Sequence, residues 1–490
     1  MPANEPAGDA VDASPDSSDD VTRDGWGALF AGPNLARSVV LTGAVAIHAL
    51  SLRVVVTVLP VAVIEIGGLR FFSWTMTVAM ISAIWGAASA APLALSHGLR
   101  RAYHIALALF VVGSIVCALS PNMGAFLVGR LFQGLGGGLL TALAYTTISR
   151  VFPRHLHTRA IATLSTVWSI AALCGPLVGG VLAGWGLWRW AFWVDVPLAA
   201  ALGVVAQRTI LTRTDETVGR PTAPSSIAAG RLTLLGGSVL AVAIGGLSGR
   251  ALVSGIGLGV ATILLAVMLR MDGRVARLHG RPRLLPTGAF NPHAALGAVS
   301  LVMALIGGCT MAVVYAPYVV IRVGMHAPIT GGYLSSVLPV AWAAAALASA
   351  AVSAWAHRFI VSGPILVTLG LILTGWALTT GSLVFIGLAL VPVGAGIGAA
   401  WAYLGSLLIE FAEPNERDVA AAFISTVNLI SQAFGAALAG MIANIAGFGN
   451  PALGSAGVVR AVFWLFLTIS IFPAAALPFA IRAVHNRAAA

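Results

Sequence analysis

Apolar runs long enough to cross a bilayer follow one another along the whole chain, and no other feature limits the fold as much. Read between polar breaks, fourteen of them fall at residues 38–66, 72–96, 102–120, 124–150, 160–184, 189–207, 232–249, 251–270, 293–321, 329–355, 361–380, 383–410, 418–446 and 459–482. A helix needs about 20 such residues to span the hydrocarbon core, where the backbone must satisfy its own hydrogen bonds. The runs at 232–249 and 251–270 are short, Gly-rich and divided only by Gly249 and Arg250, so twelve spans is the alternative. Composition agrees with lipid as the main solvent. Hydrophobic residues make up 59% of the chain and charged residues only 9%, against about 25% charged in a soluble domain. The expectation is an all-α integral membrane protein.

The few charges are unevenly placed. Seven acids, from Glu5 to Asp24, stand among Pro, Ser, Gly and Ala in the first 24 residues. That composition predicts a disordered acidic tail over 1–36, and it lacks the basic and then apolar start of a secretory signal peptide. All 27 basic residues are Arg. Without Lys there is no P-loop, which excludes ATP hydrolysis by that route. With the N-terminus inside, 20 Arg fall on the cytoplasmic side, and only Arg70, Arg189, Arg250, Arg322 and Arg460 fall outside. This is the asymmetry that basic loops impose, and it predicts a multi-pass protein of the bacterial inner membrane with both termini cytoplasmic. Arg53 and Arg130 remain, inside spans.

Two Arg-rich polar stretches, 208–231 and 271–292, bracket the weak pair of spans. The chain therefore divides into an N-terminal six-helix half (37–207), basic linkers with two extra helices (208–292), a C-terminal six-helix half (293–482) and a short tail (483–490). Cys117, Cys174 and Cys309 sit inside apolar runs and read as packing residues. No residue cluster calls for a metal or cofactor. At an offset of 260 residues the fifth apolar run matches the thirteenth at nine of 24 positions. Ser165-Thr166-Val167 recurs as Ser425-Thr426-Val427, and Gly175 and Gly180 recur as Gly435 and Gly440. Membrane proteins made of two related halves place a binding site between them and rock the halves about it, which favours a transporter.

Three runs carry more specific information. Gly129-Arg130-Leu131-Phe132-Gln133-Gly134 continues to Gly138 and sets a charge beside glycines that admit close helix packing. Gly175-Pro176-Leu177-Val178-Gly179-Gly180 combines a missing helix donor with a thin face. Trp188-Arg189-Trp190-Ala191-Phe192-Trp193-Val194-Asp195-Val196-Pro197 is an interfacial aromatic girdle. In this order and spacing the chain resembles the major facilitator superfamily, most closely its 14-span drug:proton antiporter branch. The three runs are similar to that branch's fourth-helix motif, its fifth-helix exporter motif and the start of its sixth helix. Val54 to Pro60, Glu65 to Leu69 and Trp74 fit that branch's first span and the turn after it. The resemblance, over residues 38–482, implies the major facilitator fold: two six-helix halves, two extra central helices, a central cavity and export driven by proton entry.

The chain departs from that branch in places. Ser51 stands where the branch has an acidic residue in the first helix. The loop after the second span keeps Gly98, Arg100 and Arg101 but not the usual acid, and its counterpart in the second half keeps Arg358. With Gly134, Gly175, Pro176, Gly179 and Gly180, these are the candidate gating and structural residues. A charge at mid-bilayer costs about 2.5–3.5 kcal/mol, so Arg53 and Arg130 call for a negative partner. Asp195, at similar depth, is one such partner and an anionic substrate is the other. Asp195 and, second, Glu65 are the proton-coupling candidates, although Asp195 with the arginines can equally be a helix-holding network and Glu65 a solvated end residue.

Arg53, Arg130, Gln133, Thr57, Tyr315, Tyr318, Asn428 and Gln432 are the substrate-binding candidates; the last two share a helix face. Gln133, Thr57, Tyr315, Tyr318, Asn428 and Gln432, each taken alone, are more often interhelical hydrogen bonds than ligands. Trp168, Trp342, Trp401 and Tyr403 would suit an aromatic cavity or a lipid face, His48 reads as a core residue, and Glu410 as interfacial. The expected function is secondary active export of small amphiphilic or anionic compounds by alternating access, coupled to protons. The alternatives are a proton-independent uniporter or uptake carrier and, from another class, a transport-inactive receptor or scaffold. The expected partners are the bilayer, a small-molecule substrate and protons, with no nucleic acid, no cofactor and a monomeric chain.

Overall fold

The computed structural model describes residues 32–151, 157–209, 226–279, 285–350, 352, 355–413 and 416–489. The acidic tail up to residue 31 and much of both linkers lie outside the described residues. Among the described residues the chain forms fourteen long helical segments. They are α1 (Pro33–Ile66), α2 (Trp74–His97), α3 (Leu99–Leu119), α4 (Met123–Val151) and α5 (His157–Gly184). Then come α6 (Trp190–Thr209), α7 (Ser226–Gly246), α8 (Ala251–His279), α9 (Ala295–Val323) and α10 (Pro328–Ala350). The last four are α11 (Ala356–Thr380), α12 (Leu383–Glu410), α13 (Arg417–Ile445) and α14 (Gly454–Arg487). Thirteen are long and apolar enough to cross a membrane, and the apolar part of α7, Gly230–Gly246, is shorter. The fourteen-span reading holds, with the seventh as its weakest member.

Glycine sets both the joints and the packing. Gly98, at φ 78°, turns the chain directly from α2 into α3, and Gly67 and Gly68, at φ 73° and 82°, end α1. These backbone angles cost a residue with a Cβ and suit glycine. Within the bundle, a Cβ on Gly134 would lie 2.4 Å from the Ala79 carbonyl and one on Gly138 2.1 Å from that of Ala83, so α4 and α2 touch backbone to backbone. The second half repeats the device at the same 260-residue offset. Gly394 and Gly398 of α12 would meet the Leu338 and Trp342 carbonyls of α10 at 2.2 and 2.1 Å. The internal repeat is thus a repeated packing solution, reaching beyond the run in which the sequence first displays it.

The halves meet along two symmetric seams. On one, a Cβ on Gly180 of α5 would lie 2.5 Å from Ile329 Cα of α10; on the other, a Cβ on Gly440 of α13 would collide with Ser73 Oγ, just before α2. Both contacts lie toward the ends with fewer arginines. There Phe72 packs on Tyr315, Tyr318 and Phe448 with ring centroids 5.3, 5.4 and 5.8 Å apart, joining the two halves in an aromatic plug. On either side of the plug residues Tyr315 and Tyr318, α9 leaves α geometry, with a tight 3-10 stretch at Cys309–Val314 and a π turn at Val319–Val323. Such interruptions mark places where a helix bends.

The extra helices stand beside one seam. Trp85 Nε1 of α2 donates to the Leu232 carbonyl of α7 at 3.1 Å, and Asn444 Nδ2 of α13 donates to that of Gly246 at 3.2 Å. One helix is therefore fixed to both halves. α8 continues to His279, further than its apolar run, and this places Asp272 inside the helix, where it forms a buried ion pair with Arg231 of α7.

Candidate transport site

Five polar side chains from four helices of the first half converge in one buried cluster. Ser51 comes from α1, Ser114 from α3, Arg130 and Gln133 from α4, and Asp195 from α6, each no more than 4% exposed. Arg130 and Gln133 are three residues apart and so share a face of α4. Gln133 is the link: its carbonyl accepts from Arg130 Nη1, and its amide nitrogen lies 3.1 Å from Asp195 Oδ2 and 3.0 Å from both Ser51 Oγ and Ser114 Oγ. Ser114 Oγ donates to the same carboxylate oxygen at 3.2 Å, and Arg130 Nε donates to the Thr75 carbonyl at 3.3 Å. Arg130 Nη2 has no hydrogen-bond partner. The arginine and the carboxylate thus share charge through an amide, with one donor left over. Such a site can hold or release a proton and offer a guanidinium edge to an anion.

Arg53 is placed differently. It is half-buried on α1, and no hydrogen bond or ion pair reaches it among the described residues. A Cβ on Gly175 would lie 2.4 Å from Arg53 Cβ, so this exporter-motif glycine is what lets α1 lie against α5 at the arginine. Gly179 performs the same service one turn on, against Val54 and Thr57. Thr57 is buried at the three-helix junction, where Gly332 of α10 faces both it and Pro176, and its hydroxyl lacks a partner.

The other candidates are dispersed. Glu65 sits at the arginine-poor end of α1, accepting from Trp188 Nε1 at 2.6 Å and from Arg189, which also reaches the Ser120 carbonyl. Tyr315 and Tyr318 are buried in the aromatic plug. Gln432 donates to Asn428 Oδ1 at 2.9 Å on α13. Trp342 and Trp401 pack at 5.6 Å between centroids, and Trp168 meets His48 edge-on at 6.1 Å. The Tyr403 hydroxyl donates to the Ser349 carbonyl at 2.6 Å. At the arginine-rich end Arg358 stacks over the Trp355 ring, 4.8 Å from its centroid. Arg100 and Arg101 stand in the first turn of α3, which begins at Leu99 directly after Gly98.

Ser114, Phe72 and Phe448 escaped the sequence reading. A serine or phenylalanine in an apolar helix gives no signal until the neighbouring helix is in place.

Three comparisons bear on identity. The profile of the Major Facilitator Superfamily matches residues 41–436. A probable multidrug-efflux transporter of Mycobacterium tuberculosis is 31% identical over 92% of this chain and 95% of its own length. Among solved structures, the POT family transporter PepTSo superposes with a TM-score of 0.66 at 14% identity, over 93% of this chain and 99% of that one. A D-xylose-proton symporter superposes with a TM-score of 0.59 at 16% identity, over 90% of this chain and 96% of that one. At such identities these two structures speak for the fold alone. With the profile spanning most of the helices and the multidrug-efflux relative aligning almost end to end, the chain belongs to the Major Facilitator Superfamily, as a multi-pass secondary transporter of small molecules.

Proposed function

We propose that this transporter exports amphiphilic or anionic small molecules, driven by protons that Asp195 carries. The observation that supports the coupling is the position of its carboxylate. Asp195 Oδ2 and Ser51 Oγ lie on the same Gln133 amide, at 3.1 and 3.0 Å. Ser51 is the position where the drug:proton antiporter branch has its first-helix acid. The carboxylate absent from α1 is thus supplied to the same spot by α6.

Ionised, Asp195 balances Arg130 through Gln133. Protonated, it leaves the buried guanidinium unopposed, and an uncompensated buried charge costs several kcal/mol. Proton uptake therefore biases the cluster toward an arrangement in which Arg130 finds another anion or water. That differential is what a coupling group needs in order to move a two-state equilibrium. Glu65 acts in this reading as a tether between α1 and the start of α6.

Arg53 supports the substrate class. It is a cation at mid-helix with no hydrogen-bond or ion-pair partner among the described residues, and Trp168, Trp342 and Trp401 are only partly buried on helices that flank the seams. A flat, apolar molecule with a negative group would satisfy both features. The arginine bias of the loops supports cytoplasmic termini, the packed plug then lies on the outside, and a single chain carries every part of the mechanism.

The test is accumulation of carboxyfluorescein and of ethidium in cells with and without the protein, followed by proteoliposomes under an imposed pH gradient. Export of the anionic dye that collapses with the gradient is expected. Equilibration indifferent to pH would indicate a uniporter, and absence of counterflow a scaffold; either result rejects this reading.

A further inference from the structure

Away from the seams, α3 and α6 fail to close on each other at their arginine-rich ends and leave a groove of about 460 Å³. Its walls are apolar, from Leu107 and Val111 on one side and Val204 on the other. Gly203 on α6 omits the side chain that would fill it, since a Cβ there would come no closer than 3.6 Å to Leu107. At the mouth the chemistry changes. His104 Nε2 and Gln207 Oε1 lie 2.8 Å apart across the groove, and Arg208 lines the same end. Arg101 precedes His104 by three residues and so stands on the same side of α3. Arg101 and Arg208 are exposed, and no carboxylate among the described residues pairs with either.

We propose that this groove binds one anionic phospholipid of the cytoplasmic leaflet, an acyl chain lying in the trough and the phosphate meeting Arg101 and Arg208. The groove faces the bilayer, so a chain is always at hand to fill it. The trough alone would accept any lipid, and the mouth makes the choice. Basic sites between membrane helices at the cytoplasmic face select anionic headgroups, each arginine contributing roughly fivefold. Two unpaired arginines give a preference of about 30-fold over a zwitterionic lipid. The arginine bias that orients the chain also places this mouth in the leaflet where anionic lipids meet it. The site is independent of the transport cluster, and neither proposal needs the other.

The experiment is native mass spectrometry of the purified full-length chain after exposure to mixed phosphatidylglycerol and phosphatidylcholine. One retained phosphatidylglycerol per chain is expected. Arg208→Gln should cut the preference about fivefold and Arg101→Gln with Arg208→Gln should erase it, both at exposed positions that leave folding intact. Gly203→Leu, with both arginines present, should expel the lipid, with the melting temperature confirming that the bundle survives. Equal retention of both lipids by the unaltered chain would overturn the proposal. So would undiminished retention by folded Gly203→Leu, or a lipid-free dimer that covers the groove with a second copy.

Discussion

Asp195→Asn is the most informative single change. Asparagine keeps the shape and can still meet Ser114 and Gln133, yet it removes the only carboxylate in a cluster that includes a guanidinium 1% exposed. Breaking a buried charge arrangement costs about 3–5 kcal/mol, so the variant's melting temperature must be measured beside its transport. One pH unit and 100 mV together supply about 3.7 kcal/mol per proton, enough for about a 500-fold gradient of a neutral substrate. Without the carrier that gradient should fall to about 1, while counterflow of labelled substrate across the same proteoliposomes persists. Adding Ser51→Asp to the asparagine variant returns a carboxylate to the same Gln133 amide and should restore uphill transport. If Asp195→Asn alone still builds a proton-driven gradient, Asp195 is not the carrier. If the folded double variant fails to regain one, the two positions are not interchangeable.

Other expectations concern the seams, the extra helices and the unpaired arginine. Gly180→Val places a Cβ 2.5 Å from Ile329 Cα; overpacking of about 1–3 kcal/mol should shift the population toward an outside-open state roughly 5- to 150-fold. Spin labels at exposed Leu187 and Met325 would read this as a longer distance between the halves, and an unchanged distribution would refute it. Asp272→Asn removes the buried ion pair with Arg231 and should destabilise the fold by up to about 3–5 kcal/mol, seen as a lower melting temperature, with Arg231→Met in the same chain recovering much of the loss. Arg53→Gln should raise the KM for an anionic dye several-fold and leave that of a cationic dye unchanged; equal effects on both would deny Arg53 a part in charge selection.

The helices were legible because the signal for a bilayer span lies within one segment. The seventh was legible only in part, since α7 begins in a polar stretch and stands through its ties to α2 and α13. Asp195 could be chosen from the sequence as a buried acid at about the depth of Arg130. Its bond to Gln133, and Ser51 beneath the same amide, could not, because that relation is set by the close approach of four helices that glycines permit. Arg53 and Arg130 read alike in sequence, as charges inside spans, and separate only in three dimensions, one committed to the cluster and one without a partner among the described residues. Tyr315 and Tyr318 read as ligand candidates because they lie on a helix expected to line the cavity. The structure packs Phe72 and Phe448 around them in the plug, and those two residues carried no mark of their own.

The placement of α7 reaches beyond stability. Fastened to α2 through Trp85 and to α13 through Asn444, it walls off one flank of the molecule from the surrounding lipid. The opposite seam, where Pro176 of α5 faces Gly332 of α10, carries no such strap among the described residues, so the two flanks of the molecule present unlike surfaces to the lipid.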